Sequence, residues 1–236
     1  MELRRLVVVI PALDAAATVG PIVESVISVA ADVSKRSPLE ISVVVVDDGS
    51  TDPTAAVAEK AGAVVLRHPR NRGKGGALKT GFHYGLDHQC DAVVTLDADG
   101  QHIPAEIPKL IDAARDQEAD LVLGSRGHLF PGMVSRRRNA NRFSAWAISK
   151  AAGRRIDDSQ TGFRLYSSRL LRDVPIRAEG FDAESEIIVR AGRRGYRIAM
   201  IPINLGFVDG LSTSHYRAVR DTIRIAFTVV RTWVVE

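Results

Sequence analysis

Cysteine is nearly missing from this sequence. Cys90 stands alone among 236 residues, which excludes an internal disulfide and any cysteine-based metal cluster; a thiol of this kind belongs to the core. Aromatics are sparse, at 6%. No apolar run approaches the roughly 20 residues of a membrane span. The start, Met1-Glu2-Leu3-Arg4-Arg5, leads into an apolar stretch ending at Pro11, too short for the apolar region of a signal peptide. A cytosolic protein that is free to touch a membrane from that side is the expectation. Repeats, low-complexity tracts and linkers are absent, so one domain spanning 1–236 is expected. Charge of either sign is not in great excess. Lys+Arg number 32 and Asp+Glu 28, a net charge of +4, which leans mildly toward phosphates, a membrane surface or nucleic acid.

What is present is an alternation of apolar runs and helical patterns. Leu6–Ile10 reads as a buried strand stopped by Pro11, with Thr18 capping a helix to about Val33. Ile41–Val46 is a second strand, followed by Pro53 at a helix start. Ala63–Leu66, Ala92–Leu96 and Leu121–Leu123 read as further strands, with helices over Lys74–Gln89 and Pro104–Gln117. Continuous β-branched strands between helices predict an α/β fold, a mostly parallel central sheet covered on both faces. The second half is less regular. Helices are predicted over Ser135–Ala152, Glu184–Arg194 and Tyr216 to the end, and strand over Ile198–Phe207.

Ligands of such sheets bind at the carboxyl ends of strands, and two polar clusters fall there. In Leu96-Asp97-Ala98-Asp99-Gly100-Gln101-His102 the two aspartates are two apart. In extended chain they share a side, where hard oxygen ligands suit Mg²⁺ or Mn²⁺; helix capping is the plainer use of the same residues. Asp47, ending an all-valine run, sits where a nucleobase or ribose would lie. The Gly73-Lys74-Gly75-Gly76 segment lacks the spacing of a P-loop, and no G-x-G-x-x-G follows the first strand. With Asn71 and Arg72 it reads as a helix entrance beside an anion. Arg126 follows a strand end and would face a diphosphate. Arg136, Arg137, Arg138 and Arg142 form a cationic run that fits a solvated face or an anion site equally. Asp182 and Glu184 stand at a helix start, where capping suffices to explain them. On the last helix Arg217, Arg220, Arg224 and Arg231 share one face beside an apolar stripe of Val219, Ile223, Phe227, Val230 and Val234. A helix docked on the core with a solvated basic edge is expected; an interfacial helix on anionic lipid is the alternative.

Taken in order, Ile10-Pro11-Ala12-Leu13, Val46 to Asp52, Asn71-x-Gly73-Lys74-Gly75, Asp97 to His102, Gly124-Ser125-Arg126 and Asp158-Ser159-Gln160-Thr161-Gly162-Phe163-Arg164 resemble the family-2 glycosyltransferases with a GT-A fold. Within that family the dolichyl- and polyprenyl-phosphate sugar synthases are most similar. The resemblance implies a nucleotide-binding half, about 1–125, and an acceptor half, about 126–236. It implies that Pro11, Ala12 and Leu13 line the base, Asp47 binds base or ribose, and Lys74, Asp97, Ala98 and Arg126 meet the nucleotide sugar. Asp99 and Gln101, with Asp97, would hold Mg²⁺ or Mn²⁺. Arg138, Ser144, Arg164, His215 and Arg217 would be the acceptor-phosphate contacts. Two departures stand out: Asp14-Ala15 replaces the usual Asn-Glu, and the usual Arg and Ser-Lys pair near the end is replaced by the segment Phe207–Arg217.

The implied reaction is inverting transfer from a nucleotide-diphosphate sugar to a polyprenyl phosphate at the cytosolic membrane face, by peripheral contact or with a membrane partner and without nucleic acid. Asp97 and Asp99 would be its catalytic carboxylates, fixing the ion. An acceptor phosphate, with a second pKa of about 6, hardly needs a base. A hydroxyl acceptor would need one, and Asp182 and Glu184 are the candidates. A nucleotidyltransferase and a non-catalytic nucleotide-binding module are the readings from other classes.

Overall fold

The computed structural model describes residues 2–127, 135–206 and 218–235, with side chains from 141 and from 224 onward in the last two stretches. The elements run β1 (Arg5–Ala12), α1 (Val19–Ser34), β2 (Glu40–Asp47), α2 (Thr54–Lys60), β3 (Val64–Arg67), α3 (Lys74–Asp87), β4 (Ala92–Thr95), α4 (Ile107–Asp116), β5 (Leu121–Ser125), α5 (Ser135–Ala152), β6 (Arg164–Ser167), α6 (Ser168–Asp173), α7 (Ala183–Arg193), β7 (Ile198–Pro202) and α8 (Ala218–Val235). A 3₁₀ turn, Pro104–Glu106, leads into α4. α6 has no counterpart in the sequence reading.

One seven-stranded sheet has the order β3-β2-β1-β4-β6-β5-β7. All pairings are parallel except those of β6, which runs against both β4 and β5. Strand alternation divides the valines between two faces. Val8, Ile10, Val43, Val45 and Val94 pack with α1, α2 and α4. Val7, Val9, Val44, Val46 and Val93 pack with α3, α5, α7 and α8. Each such side chain, removed from water, contributes about 1.5–3 kcal/mol, so two-sided burial explains the unbroken apolar runs. Cys90 is buried on the second face, as expected, and burial pushes its thiol up to about 11.

Pro11 does not stop β1; it pairs in register with Val46. The reason is the side its nitrogen faces. The Val9 carbonyl accepts from Leu96 N, so Pro11, two residues on, faces the same side, where β4 has already ended at Thr95. A missing N–H costs nothing there. Thr18 is the residue before α1, but its hydroxyl does not cap the helix. It donates to the Ala98 carbonyl at 2.6 Å, tying α1 to the loop after β4.

The last helix docks by a different face from the expected one. Ile225, Val229 and Thr232 are buried, whereas Phe227, Val230 and Val234 of the expected stripe are 67%, 58% and 71% exposed. The buried register is set by Asp182, whose Oδ2 accepts from Thr228 Oγ1 at 2.8 Å and whose Oδ1 lies 3.4 Å from Arg224 Nε. The side chains of Val219, Arg220 and Ile223 lie outside the described residues. Among the described residues no helix is long and apolar enough to cross a membrane.

Candidate active site

Six of the seven strands point one way, so the loops after β1, β2, β4 and β5 gather at one end of the sheet. β6 runs the other way, and the Ser159–Phe163 segment before it therefore arrives at that same end, over β4 and β5.

Asp97 and Asp99 lie past the end of β4, in a loop and turn, so strand alternation does not set their directions. Local hydrogen bonds do. The Asp97 N–H donates to His102 Nδ1 at 3.0 Å, and Asp99 Oδ1 accepts from Gln101 N at 2.9 Å. Because Nδ1 accepts an amide hydrogen, the imidazole of His102 carries its proton on Nε2. Burial also lowers its pKa, against the pull of Asp97 and Asp99. The ring stacks on Phe163, with centroids 5.4 Å apart.

Lys74, the first residue of α3, links the two halves of the chain. Its Nζ is 2.6 Å from Asp97 Oδ1 and 2.9 Å from Glu184 Oε2. Burial alone would lower the ammonium pKa, but the two carboxylates more than offset it and raise it. Burial alone would raise the Asp97 pKa; Lys74, with His102 and Arg126, instead holds it down at about 2. Glycine at 162 is required by this arrangement. A Cβ there would lie 2.5 Å from both Asp97 carboxylate oxygens. Thr95 Oγ1 fixes that backbone by donating to the Gly162 carbonyl at 2.7 Å.

Arg126 is 9% exposed and makes a two-pronged pair with Asp158, Nε–Oδ2 2.8 Å and Nη2–Oδ1 3.1 Å. Burial opposes ionisation of both partners, yet the pair raises the arginine pKa and lowers the aspartate pKa. Asp97 and Glu184 add to the shift at Arg126, so the guanidinium sits in the field of the site.

Arg164 is corrected from its expected role. Its side chain is fully enclosed and donates to the carbonyls of Thr161, Ser159 and Glu184 at 2.7, 2.9 and 2.7 Å. A phosphate cannot reach it; it holds the 159–163 loop and α7 in place. Asp182 is corrected as well. Both its oxygens face α8, as described above, so it is a docking carboxylate and not a base. Glu184 Oε1, like Asp182 Oδ1, is buried without a hydrogen-bond donor among the described residues; it lies 3.9 Å from Arg164 Nε, while Glu184 Oε2 faces Lys74. Ser144 does meet the loop: Gln160 Nε2 donates to its hydroxyl at 3.0 Å. Arg136, Arg137 and Arg138 lie on α5, but their side chains are outside the described residues, as are His215 and Arg217 altogether.

On the nucleotide side Pro11 and Leu13 are half-buried and Ala12 is buried. Asp47 does not stand open to a base. Its carboxylate is fully enclosed, with Oδ1 accepting from Ser50 N at 2.9 Å and Oδ2 3.1 Å from Arg67 Nε without hydrogen-bond geometry. Asp48 Oδ1 joins the clusters by accepting from Arg72 N at 2.9 Å and facing His68 Nδ1 at 2.6 Å, and His68 Nε2 meets Thr80 Oγ1 at 2.9 Å. Asp14, at φ 48°, accepts from Thr51 N at 2.7 Å. It thus completes the turn, while Ala15 is buried and brings no carboxylate.

Sequence reasoning missed three features: the Lys74 bridge, the Asp158 partner of Arg126, and the contact of Gly162 with Asp97. Their residues are 23, 32 and 65 or more positions apart in the chain, and no local pattern signals such pairs. An unexplained glycine inside a polar string is the one clue that was available.

A family model described as "Glycosyl transferase family 2" matches residues 7–178. The chain belongs to glycosyl transferase family 2. An undecaprenyl-phosphate mannosyltransferase of Micrococcus luteus is 34% identical over 70% of this chain and 71% of its own. A polyprenol monophosphomannose synthase of Mycolicibacterium smegmatis is 31% identical over 70% of this chain and 66% of its own. In fold, the chain is similar to the crystal structure of glucosyl-3-phosphoglycerate synthase from Mycobacterium tuberculosis in complex with UDP, with a TM-score of 0.75 at 22% identity, covering 98% of this chain and 80% of that one. The chain is therefore a nucleotide-sugar glycosyltransferase with a GT-A fold.

Proposed function

We propose that this glycosyltransferase moves a sugar, with inversion, from a nucleotide-diphosphate sugar to the phosphate of a polyprenyl phosphate at the cytosolic face of a membrane. The observation that carries the reading is the Lys74–Asp97–Glu184 bridge at the carboxyl end of the sheet, beside the Arg126–Asp158 pair. The relatives acting on polyprenyl phosphates support the acceptor. The exposed Phe227, Val230, Trp233 and Val234 on α8, with Arg224 and Arg231, support peripheral contact with an anionic surface.

The donor diphosphate approaches the loops after β1, β2 and β4, with Asp47 and the Pro11–Leu13 segment at its nucleoside end. An acceptor phosphate oxygen attacks the anomeric carbon. The bond from that carbon to the diphosphate oxygen breaks, and the nucleoside diphosphate leaves with the electron pair. Lys74 and Arg126 supply fixed positive charge where the leaving group gathers negative charge. Asp99 and Gln101, with Asp97, would hold Mg²⁺ or Mn²⁺. The carboxylates of Asp97 and Asp99 and the amide oxygen of Gln101 are the hard oxygen donors such an ion takes. When bound, the ion would offset the negative charge of the diphosphate. The nucleophile is already ionised at neutral pH, so positioning is the main task left to the protein.

A thermal-shift panel of nucleotide sugars, with and without Mn²⁺, names the donor through selective stabilisation. Radiolabelled sugar should then enter an organic-extractable, acid-labile product; a water-soluble product alone overturns the acceptor. The second reading is a soluble or saccharide hydroxyl acceptor. It needs a carboxylate base, and Glu184, joined to Asp97 through Lys74, is the candidate.

A further inference from the structure

A second concave surface opens beside Arg126. Ser125 and Gly127, the neighbours of that arginine, form its inner end; α5, the turn after it and the edge strand β7 form its walls. The groove encloses about 1020 Å³. Since β4, β5 and β7 are parallel, it lies at the same end of the sheet as Asp97.

The lining is strongly one-signed. Arg142, Trp146 and Lys150 recur every fourth residue, on one face of α5. Gly153, at φ 64°, then turns the chain so that Arg154 and Arg155 complete the rim. The single acid in the lining, Asp157, is paired with Arg155 at 2.9 Å. Among the described residues no carboxylate pairs with Arg142, Lys150 or Arg154, so the described lining carries three cations beyond the Arg155–Asp157 pair. A concave wall of like charge focuses its potential and gathers anions. Trp146 adds a flat apolar surface, 57% exposed and 5.7 Å from the Phe143 ring.

We infer that this groove receives the phosphoryl group of the acceptor on its way to Asp97, with Arg142, Lys150 and Arg154 selecting a phosphomonoester and Trp146 bearing on the group that carries it. A phosphomonoester holds up to two charges at neutral pH and takes forked hydrogen bonds from arginine. The inference rests on the phosphate-acceptor reading above, and it adds residues which that reading did not use.

The sequence has two tryptophans, so Trp233→Phe leaves Trp146 as the only indole. Farnesyl phosphate, farnesol and glycerol 3-phosphate are titrated into that protein below any micellar threshold, and Trp146 fluorescence is followed. Farnesyl phosphate should give a saturable change that weakens with salt, and farnesol none. Adding Lys150→Glu and Arg154→Glu should weaken binding at least tenfold, and the milder Lys150→Gln/Arg154→Gln pair should fall between. Unchanged far-UV circular dichroism and thermal midpoint show that the variants are folded. Equal binding of glycerol 3-phosphate keeps the groove and assigns it to soluble phosphorylated acceptors. No saturable change with either phosphate, or affinities within twofold after charge reversal, overturns the inference. A chain that transfers no sugar to polyprenyl phosphate while Trp146 still responds overturns the acceptor reading and leaves the groove standing.

Discussion

The two halves of this chain are held at the site by different forces. In the first half short polar side chains bind nearby backbone. Asp14 takes Thr51 N, Asp48 takes Arg72 N, Asp52 takes Ala16 N, and Asp99 takes Gln101 N. In the second half buried charges do the work: Arg126 with Asp158, Arg164 with three carbonyls, and Glu186 with Arg190 and the Arg177 and Ala178 amides. The first-half bonds are exposed or partly buried, and one that breaks is partly replaced by water. A buried charge stripped of its partner is not. The acceptor half should therefore be the more fragile to single substitutions, and the nucleotide half the more tolerant.

The largest break in that comparison is Asp158→Ala, which strands the buried Arg126 guanidinium. Urea denaturation should show a loss of about 3–5 kcal/mol. The same carboxylate makes stability pH-dependent. Its folded pKa lies below the ordinary 3.8, so its contribution is complete above that value and is lost as pH falls through the lowered one. Asp158→Asn should flatten this acid limb, and equal limbs in the two proteins would show that the pair carries no such weight.

Asp97→Asn should lower transfer by about a hundred- to a thousandfold, since the charge that Lys74 meets is gone. A smaller loss in single-turnover assays would move the catalytic weight to Asp99. Gly162→Ala forces a Cβ against Asp97. It should destabilise by about 1–3 kcal/mol and reduce transfer more than tenfold; a variant with normal kcat would mean that the Asp97 position is not critical. The smallest effect belongs to the nucleotide half. Asp14→Ala, at positive φ with two bonds to Thr51, should cost about 1–2 kcal/mol. Asp14→Asn should stay within about 0.5 kcal/mol, checked by thermal melts.

Legibility in the sequence followed the same division. The Ser135–Ala152 helix was read to the residue, because its pattern is local. In the sequence Pro11 reads as a stop; β1 continues through it because β4 is short enough to make room. Arg164 looked like an anion ligand, and nothing short of the fold shows that its guanidinium is enclosed. Phe227, Val230 and Val234 looked like a docking stripe because helical spacing marks a face without saying which neighbour covers it. Asp182 decides that, from another helix.

Periodicity, turn chemistry and the order of short polar strings determined the layered sheet, the end at which ligands gather and the family, because each is written over a few neighbouring residues. Only tertiary structure decided that Lys74 joins Asp97 to Glu184, that Asp158 anchors Arg126, and that Arg142, Lys150 and Arg154 share one hollow. Those arrangements depend on an antiparallel strand returning between two parallel ones and on charges excluded from water, and neither leaves a mark at any fixed spacing along the chain.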